Sequence, residues 1–106
     1  MTARSDRLLA PISVTAAEAR PRMRVCLRGE VSAVGTRTWR GGLRHVVELH
    51  DGTGSVLLIF SRPTGVPGMH VGVRCQVKGT VQADSLDGLA VLWDPFYELL
   101  PCAGAP

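Results

Sequence analysis

The chain has 106 residues, of which 45% are hydrophobic and 20% are charged, and this composition fits one globular domain with its own core. Twelve basic residues against nine acidic ones give a formal net charge of +3, which permits a polyanionic partner without requiring one. The longest apolar runs are far shorter than the roughly 20 residues that span a bilayer, so we expect no membrane-spanning helix and no membrane partner.

Two features favour a cytoplasmic location. Pro11 breaks the apolar stretch near the N-terminus before it reaches the roughly 7–15 residues of a secretory signal. Cys26, Cys75 and Cys102 form no C-x-x-C pair, which fits reduced thiols better than a disulfide scaffold or a zinc site. We expect neither a metal nor a cofactor.

The N-terminal part predicts a tail followed by one helical turn. Residues 1–11 are polar and aperiodic, and residues 102–106 form a second predicted flexible tail, so we expect the domain over residues 12–101. Thr15 and Glu18 have the spacing of a capping box, which predicts a short helical turn there.

Five segments with strand character follow. An alternating first strand begins at Met23 and continues to Ala33, and its interior glycine, Gly29, is typical of a bulge or bend. A loop is predicted over 35–42. The further strands are predicted over 43–51, 55–60, 73–82 and 89–100, the last interrupted at Asp94-Pro95.

The third predicted strand is almost wholly apolar, so alternation does not fix its register. The preferred register buries Val56, Leu58 and Phe60 and turns Leu57 and Ile59 outward. A slip by one residue would turn Phe60 outward instead. An exposed aliphatic pair on this strand would suit a protein partner or self-association.

These elements predict an all-β fold: a five-stranded antiparallel Greek-key barrel, closed, with a short N-terminal helical turn. The proline- and glycine-rich segment 61–70 excludes a regular helix between the third and fourth strands.

Four short motifs carry a resemblance to the OB fold. They are Asp51-Gly52-Thr53-Gly54, Pro67-Gly68, Gly79-Thr80-Val81 and Pro95-Phe96-Tyr97-Glu98, spread over about residues 22–101. The pattern is similar to the wedge-type OB domain of RecG helicases and to small stand-alone OB-fold proteins of actinobacteria. The resemblance implies an OB barrel and a nucleic-acid partner. OB barrels bind single strands on the outer face of strands two and three, between the loop joining strands one and two and the loop joining four and five.

The first predicted hairpin is strongly basic, with seven arginines and one acidic residue over 20–44. Trp39 lies between two arginines at its tip, where a flat ring and guanidinium groups suit bases and phosphates. The alternative is that Trp39 folds back over the barrel mouth. Arg28 and Arg44 could lie on the same outward face and extend this basic patch. The alternative is that both are ordinary solvated strand residues. The candidate nucleic-acid-binding residues are Arg28, Arg37, Trp39, Arg40, Arg44 and Arg62.

Two other regions are expected to stay outside the site. The loop 83–88 carries two acidic residues and no basic one, which disfavours a polyanion. Trp93, Phe96 and Tyr97 are expected to close the core beside a proline bend.

The sequence therefore predicts a non-catalytic module that binds single-stranded DNA or RNA with low sequence specificity. The alternative is a protein-interaction or oligomerisation module that uses Leu57 and Ile59. An enzyme is not expected, because the three histidines are dispersed and paired carboxylates are lacking. On this hypothesis, loss of Trp39 and Arg40 weakens binding more than loss of Arg74 and Lys78.

Overall fold

A computed structural model describes residues 10–62 and 64–101, and these form an almost entirely β-stranded fold. Most of the two predicted tails lies outside the described residues. One 3₁₀ turn spans Ala16–Glu18. The strands are β1 Ile12–Ser13, β2 Arg24–Trp39, β3 Gly42–His50, β4 Ser55–Phe60, β5 Arg74–Thr80, β6 Ala90–Trp93 and β7 Phe96–Leu99.

The sheet has the strand order β6-β4-β3-β2-β5-β7, and β1 pairs with β2. The predicted fifth strand is two strands, since Asp94 has a φ of 45° and Pro95 has no N–H to donate, so the ladder breaks there. Its first half pairs parallel with β4 and its second half antiparallel with β5. The all-β prediction is confirmed, but the sheet is not closed by a regular ladder; Val81 and Leu92 form an isolated bridge across the gap.

The hairpin of β2 and β3 is longer than the sequence predicts. Pairing continues to Trp39 opposite Gly42, so the predicted loop over 35–42 is largely strand. The turn contains only Arg40 and Gly41, with φ values of 50° and 77°, and two positive φ angles are what a tight two-residue hairpin turn requires.

The predicted register of the third strand is confirmed, because Val56, Leu58 and Phe60 lie in the main core. The expectation that Leu57 and Ile59 are exposed is wrong: they are 5% and 0% exposed. The long hairpin and the segment after β5 cover them and form a second core. Its buried members are Trp39, Val46, Leu57, Ile59 and Val91, and Leu86, Leu89 and Trp93 pack against it.

The N-terminal turn is fastened to the β3–β4 hairpin. The predicted capping box is present, with the Thr15 N–H donating to the Glu18 carboxylate at 2.8 Å. The Ala16 N–H donates to the Asp51 carboxylate at 2.7 Å. Burial opposes ionisation of Asp51, yet this bond and those from Thr53 lower its pKa overall. Ala16 thereby becomes a buried member of the main core.

Gly29 permits a close approach of two strands rather than a bulge. A Cβ at this position would lie 2.7 Å from the carbonyl oxygen of His50, so a side chain would force β2 and β3 apart. The register shift of β2 lies a few residues further on, between Val31 and Ala33. In the described part of the chain, no helix is long and apolar enough to cross a membrane.

Candidate nucleic-acid interface

The six candidate residues divide between two regions of the surface. Five of them surround the end of the β2–β3 hairpin, and we call these the hairpin cluster: Arg37, Trp39, Arg40, Arg44 and Arg62. The sixth, Arg28, lies on the outer surface of β2 where that strand pairs with β5, opposite Gln76. The sequence did not separate these regions because β2 is one long strand that serves both.

Trp39 is buried, with 8% of its surface exposed. Its ring centroid lies 5.3 Å from that of Trp93, and the Arg40 guanidinium lies 4.0 Å above the Trp39 ring. The prediction of an accessible stacking ring is therefore wrong, and the alternative, in which Trp39 folds back over the barrel, is what the structure shows. A two-residue turn leaves Trp39 on the ladder, where it covers β4.

Arg37 and Arg40 are paired with the acidic loop 83–88. Arg37 contacts the Asp87 carboxylate at 2.8 Å, and Arg40 lies 3.6 Å from Asp84. Arg40 also donates to the Gln82 side chain at 3.0 Å. The hydrogen bond from Arg37, together with its charge, lowers the pKa of Asp87. A phosphate that bound these guanidinium groups would have to compete with two carboxylates already in place.

Arg44 holds the hairpin end together through backbone acceptors. Its guanidinium donates to the carbonyl oxygens of Trp39 at 3.1 Å, Arg40 at 3.2 Å and Ser61 at 3.0 Å. It also lies 5.1 Å from the Trp93 ring centroid. Arg44 thus ties the hairpin turn to the chain directly after β4. The role of the cluster in nucleic-acid contact, including that of Arg62 directly after Ser61, stays a prediction.

The outer surface of β2 and β5 carries a second basic region. Alternation places Val25, Leu27 and Val77 in the core and turns their sequence neighbours outward. Four basic side chains share this surface, which we call the basic face: Arg24, Arg28, Arg74 and Lys78.

The basic face differs from the hairpin cluster in its partners. Within residues 10–62 and 64–101 the ion pairs are those of Arg37 and Arg40, so no carboxylate pairs with the basic face. The Arg28 Nε–H donates to the Gln76 side-chain oxygen at 2.8 Å. This bond does not use the two terminal amino groups of the guanidinium. Arg28 and Arg74 also line an open cleft of about 330 Å³. These charges are available to an external anion.

Phe96 extends this surface onto β7. Its Cα pairs with that of Lys78, and the side chain is 79% exposed, so the prediction that Phe96 closes the core is wrong. The prediction holds for its neighbours: Tyr97 packs against the main core and donates to the Pro67 carbonyl oxygen at 2.9 Å, and Trp93 packs against the second core. The alternation along β7 was the available signal, because Phe96 and Tyr97 must point to opposite sides.

The described residues contain no group of three histidine, cysteine, aspartate or glutamate side chains that could hold a metal ion. His45 faces inward and is buried, His50 ends β3, and His70 is exposed in the loop between β4 and β5.

Cys75 is buried in the main core. Burial raises the pKa of its thiol to about 11, so the thiol stays protonated at neutral pH.

No family model matches the chain, and no curated protein matches it. Among solved structures, the chain is similar to RecG in a structure of RecG bound to a three-way DNA junction, with a TM-score of 0.66 and 20% identity. The alignment covers 88% of this chain, and the chain spans 13% of the length of that protein. The resemblance to RecG predicted from the motifs is confirmed for the fold, which is OB-like.

Proposed function

We propose that this protein is a non-catalytic module that binds single-stranded DNA or RNA through the basic face, with low sequence specificity. The observation that carries the proposal is the set of four basic side chains on one surface, none of which has a carboxylate partner among the residues that the structure describes. Free guanidinium and ammonium groups attract phosphates, and each contact releases condensed counterions. The likeness to a protein solved with bound DNA supports the same partner class.

The pairing of the carboxylates supports this location. The basic face has four basic residues beside the carboxylates of Glu30 on β2 and Glu98 on β7, and Asp51 lines the cleft with Arg28 and Arg74. The Asp51 carboxylate already accepts from Ala16 and Thr53, and in the described part of the chain none of the three forms an ion pair with the basic face. The hairpin cluster has four arginines, and three carboxylates contact that region: those of Asp84, Asp87 and Asp94, the last accepting from the Ser61 N–H at 2.8 Å. Phosphate contacts position a strand without reading its sequence, which accounts for low specificity.

The proposal contains no catalytic step and no cofactor. His45 and His50 both lie on β3, but His45 is buried with the core and His50 is exposed at the end of the strand, while His70 lies in the loop between β4 and β5. We place the protein in the cytoplasm, where thiols such as Cys26 and Cys75, both free in the structure, stay reduced. The alternative of a protein-interaction module loses its predicted surface, since Leu57 and Ile59 are covered by the protein itself.

Fluorescence anisotropy with labelled oligo-dT and oligo-U of roughly 15 nucleotides, a length that suits one OB barrel, tests the proposal. We expect binding at low salt whose affinity falls with a log–log slope of roughly −3, if each of the four basic groups neutralises one phosphate. Absence of binding at low salt would overturn the proposal. Concentration-dependent mass without any response to oligonucleotides would instead favour the interaction module.

A further inference from the structure

The exposed aromatic ring at Phe96 has no structural role in the described part of the chain. Trp39, Trp93, Phe60 and Tyr97 all take part in aromatic pairs or core clusters, whereas no aromatic pair includes Phe96. Exposing a phenylalanine on a strand forgoes the burial that stabilises the others. Its position beside Lys78, at the border of the basic face, makes the ring accessible to a ligand that also contacts those cations.

The surroundings of Phe96 suit a nucleobase better than a protein partner. Gln76, Lys78 and Glu98 line the shallow pocket beside the ring, so an apolar patch does not surround it. Protein-binding surfaces place aromatic anchors within a contiguous apolar core that excludes charged residues. A base needs a flat apolar ring with polar groups at its edges and a cation nearby for its phosphate.

We propose that Phe96 stacks on an unpaired nucleobase while Lys78 and the arginines of the basic face hold the flanking phosphates. This inference rests on the proposed function and adds a residue that selects the form of the nucleic acid. Bases in a duplex are stacked on each other and their faces are inaccessible, so the Phe96 contact is available only to single strands. The protein should then prefer single strands over duplexes of the same length.

Three substitutions at Phe96 separate stacking from apolar contact. Phe96→Ala removes the ring, Phe96→Leu keeps apolar area without a π-face, and Phe96→Tyr keeps the ring. Because the side chain is exposed, all three variants should unfold at the same temperature as the wild type. Leu43→Ala in the hairpin removes a side chain that is 55% exposed and serves as the matched control.

Anisotropy should show a loss of roughly 10-fold in single-strand affinity for Phe96→Ala and Phe96→Leu, and near-wild-type affinity for Phe96→Tyr and Leu43→Ala. Duplex affinity should stay unchanged in all variants. An oligonucleotide containing 2-aminopurine should be quenched by the wild type and not by Phe96→Leu.

Equal affinity of Phe96→Ala and wild type for single strands would overturn the stacking role and leave the proposed function standing. An equal loss for duplex and single strand would overturn it as well. Failure of the wild type to bind any oligonucleotide would overturn the proposed function and this inference together.

Discussion

The hairpin cluster and the basic face contain the same number of basic side chains, yet they differ in what those side chains contact. In the hairpin cluster, Arg37 and Arg40 are paired with carboxylates of the loop 83–88, and Arg44 is bonded to three backbone carbonyls. On the basic face, no carboxylate pairs with a basic group in the described part of the chain. A basic side chain can thus bind an external phosphate only where no other group of the protein already holds it. A count of arginines along the sequence does not show which of them are held in this way.

The two aromatic residues show the same contrast. Trp39 lies in a basic, glycine-flanked stretch that is typical of a binding loop, and it is buried. Phe96 lies beside a proline in a stretch that is typical of core closure, and it is exposed. We therefore propose a structural role for the hairpin cluster and a binding role for the basic face, and four predictions test this division.

The largest expected effect is on stability. Trp39→Ala should lower the free energy of unfolding by about 3–5 kcal/mol, because it removes a buried ring that covers β4 and supports Arg40. Phe96→Ala should change it by less than about 0.5 kcal/mol, as is usual for an exposed position. Urea unfolding followed by circular dichroism measures both. A Trp39→Ala protein as stable as the wild type would contradict the structural role.

The next effect is on binding. Arg74→Ala with Lys78→Ala should weaken single-strand binding by about 10-fold or more and reduce the salt slope by roughly 1 to 1.5, the share of two phosphate contacts. Arg37→Ala with Arg40→Ala, which removes the same charge, should weaken it by less than about 3-fold, since only long-range attraction is lost. If anisotropy titrations showed equal losses of affinity for the two double variants, the nucleic acid would be held by diffuse charge attraction rather than at a defined site. The sequence alone predicts instead that loss of Trp39 and Arg40 weakens binding more than loss of Arg74 and Lys78.

A smaller effect tests whether carboxylates mask the hairpin cluster. Asp84→Asn with Asp87→Asn should raise affinity about 3-fold by freeing two guanidinium groups, and adding Arg37→Ala and Arg40→Ala should abolish the gain. The matched control, Glu30→Gln with Glu98→Gln, makes the same charge change on the basic face. Its gain should persist when both arginines are replaced. The masking of the hairpin cluster would be contradicted if replacing Arg37 and Arg40 abolished both gains in affinity, or neither of them.

The smallest effect is the pH dependence of the Arg37–Asp87 pair. The hydrogen bond from Arg37 and its charge lower the pKa of Asp87, so any stability from the pair is fully present above the ordinary carboxyl pKa and is lost as the pH falls through the lowered one. Carboxyl carbon chemical shifts should show a titration midpoint for Asp87 that rises toward its usual range in Arg37→Ala. An unchanged midpoint would mean that the pair does not persist in solution.

Much of the fold could be predicted from the sequence because it depends on local patterns. Alternation, glycine turns and proline positions indicate the strands and the absence of a helix between β4 and β5. The burial of Val56, Leu58 and Phe60 is only the preferred one of two registers, because an almost wholly apolar strand has no alternation to fix it. The division of the last strand follows from Asp94 and Pro95, which predict an interruption at that point. These features need only the period of a strand and the conformational limits of a few residues.

The site could not be predicted in the same way because it depends on contacts between distant segments. Arg37 meets Asp87 and Arg40 meets Asp84 only after the hairpin and the segment after β5 have folded over β4. The burial of Leu57 and Ile59 has the same cause. Lys78 and Phe96 become neighbours through the pairing of β5 with β7, which motif spacing along the chain does not specify.

The most direct test of the binding role of the basic face is a titration of the ¹⁵N-labelled protein with oligo-dT, followed by amide chemical shifts. We expect the largest shift changes over 24–28, 74–80 and 96–98, with small changes at the hairpin end and in the loop 83–88. Changes concentrated over 37–44 and 82–88, with the amides of β5 and β7 unaffected, would contradict the account and return the site to the hairpin.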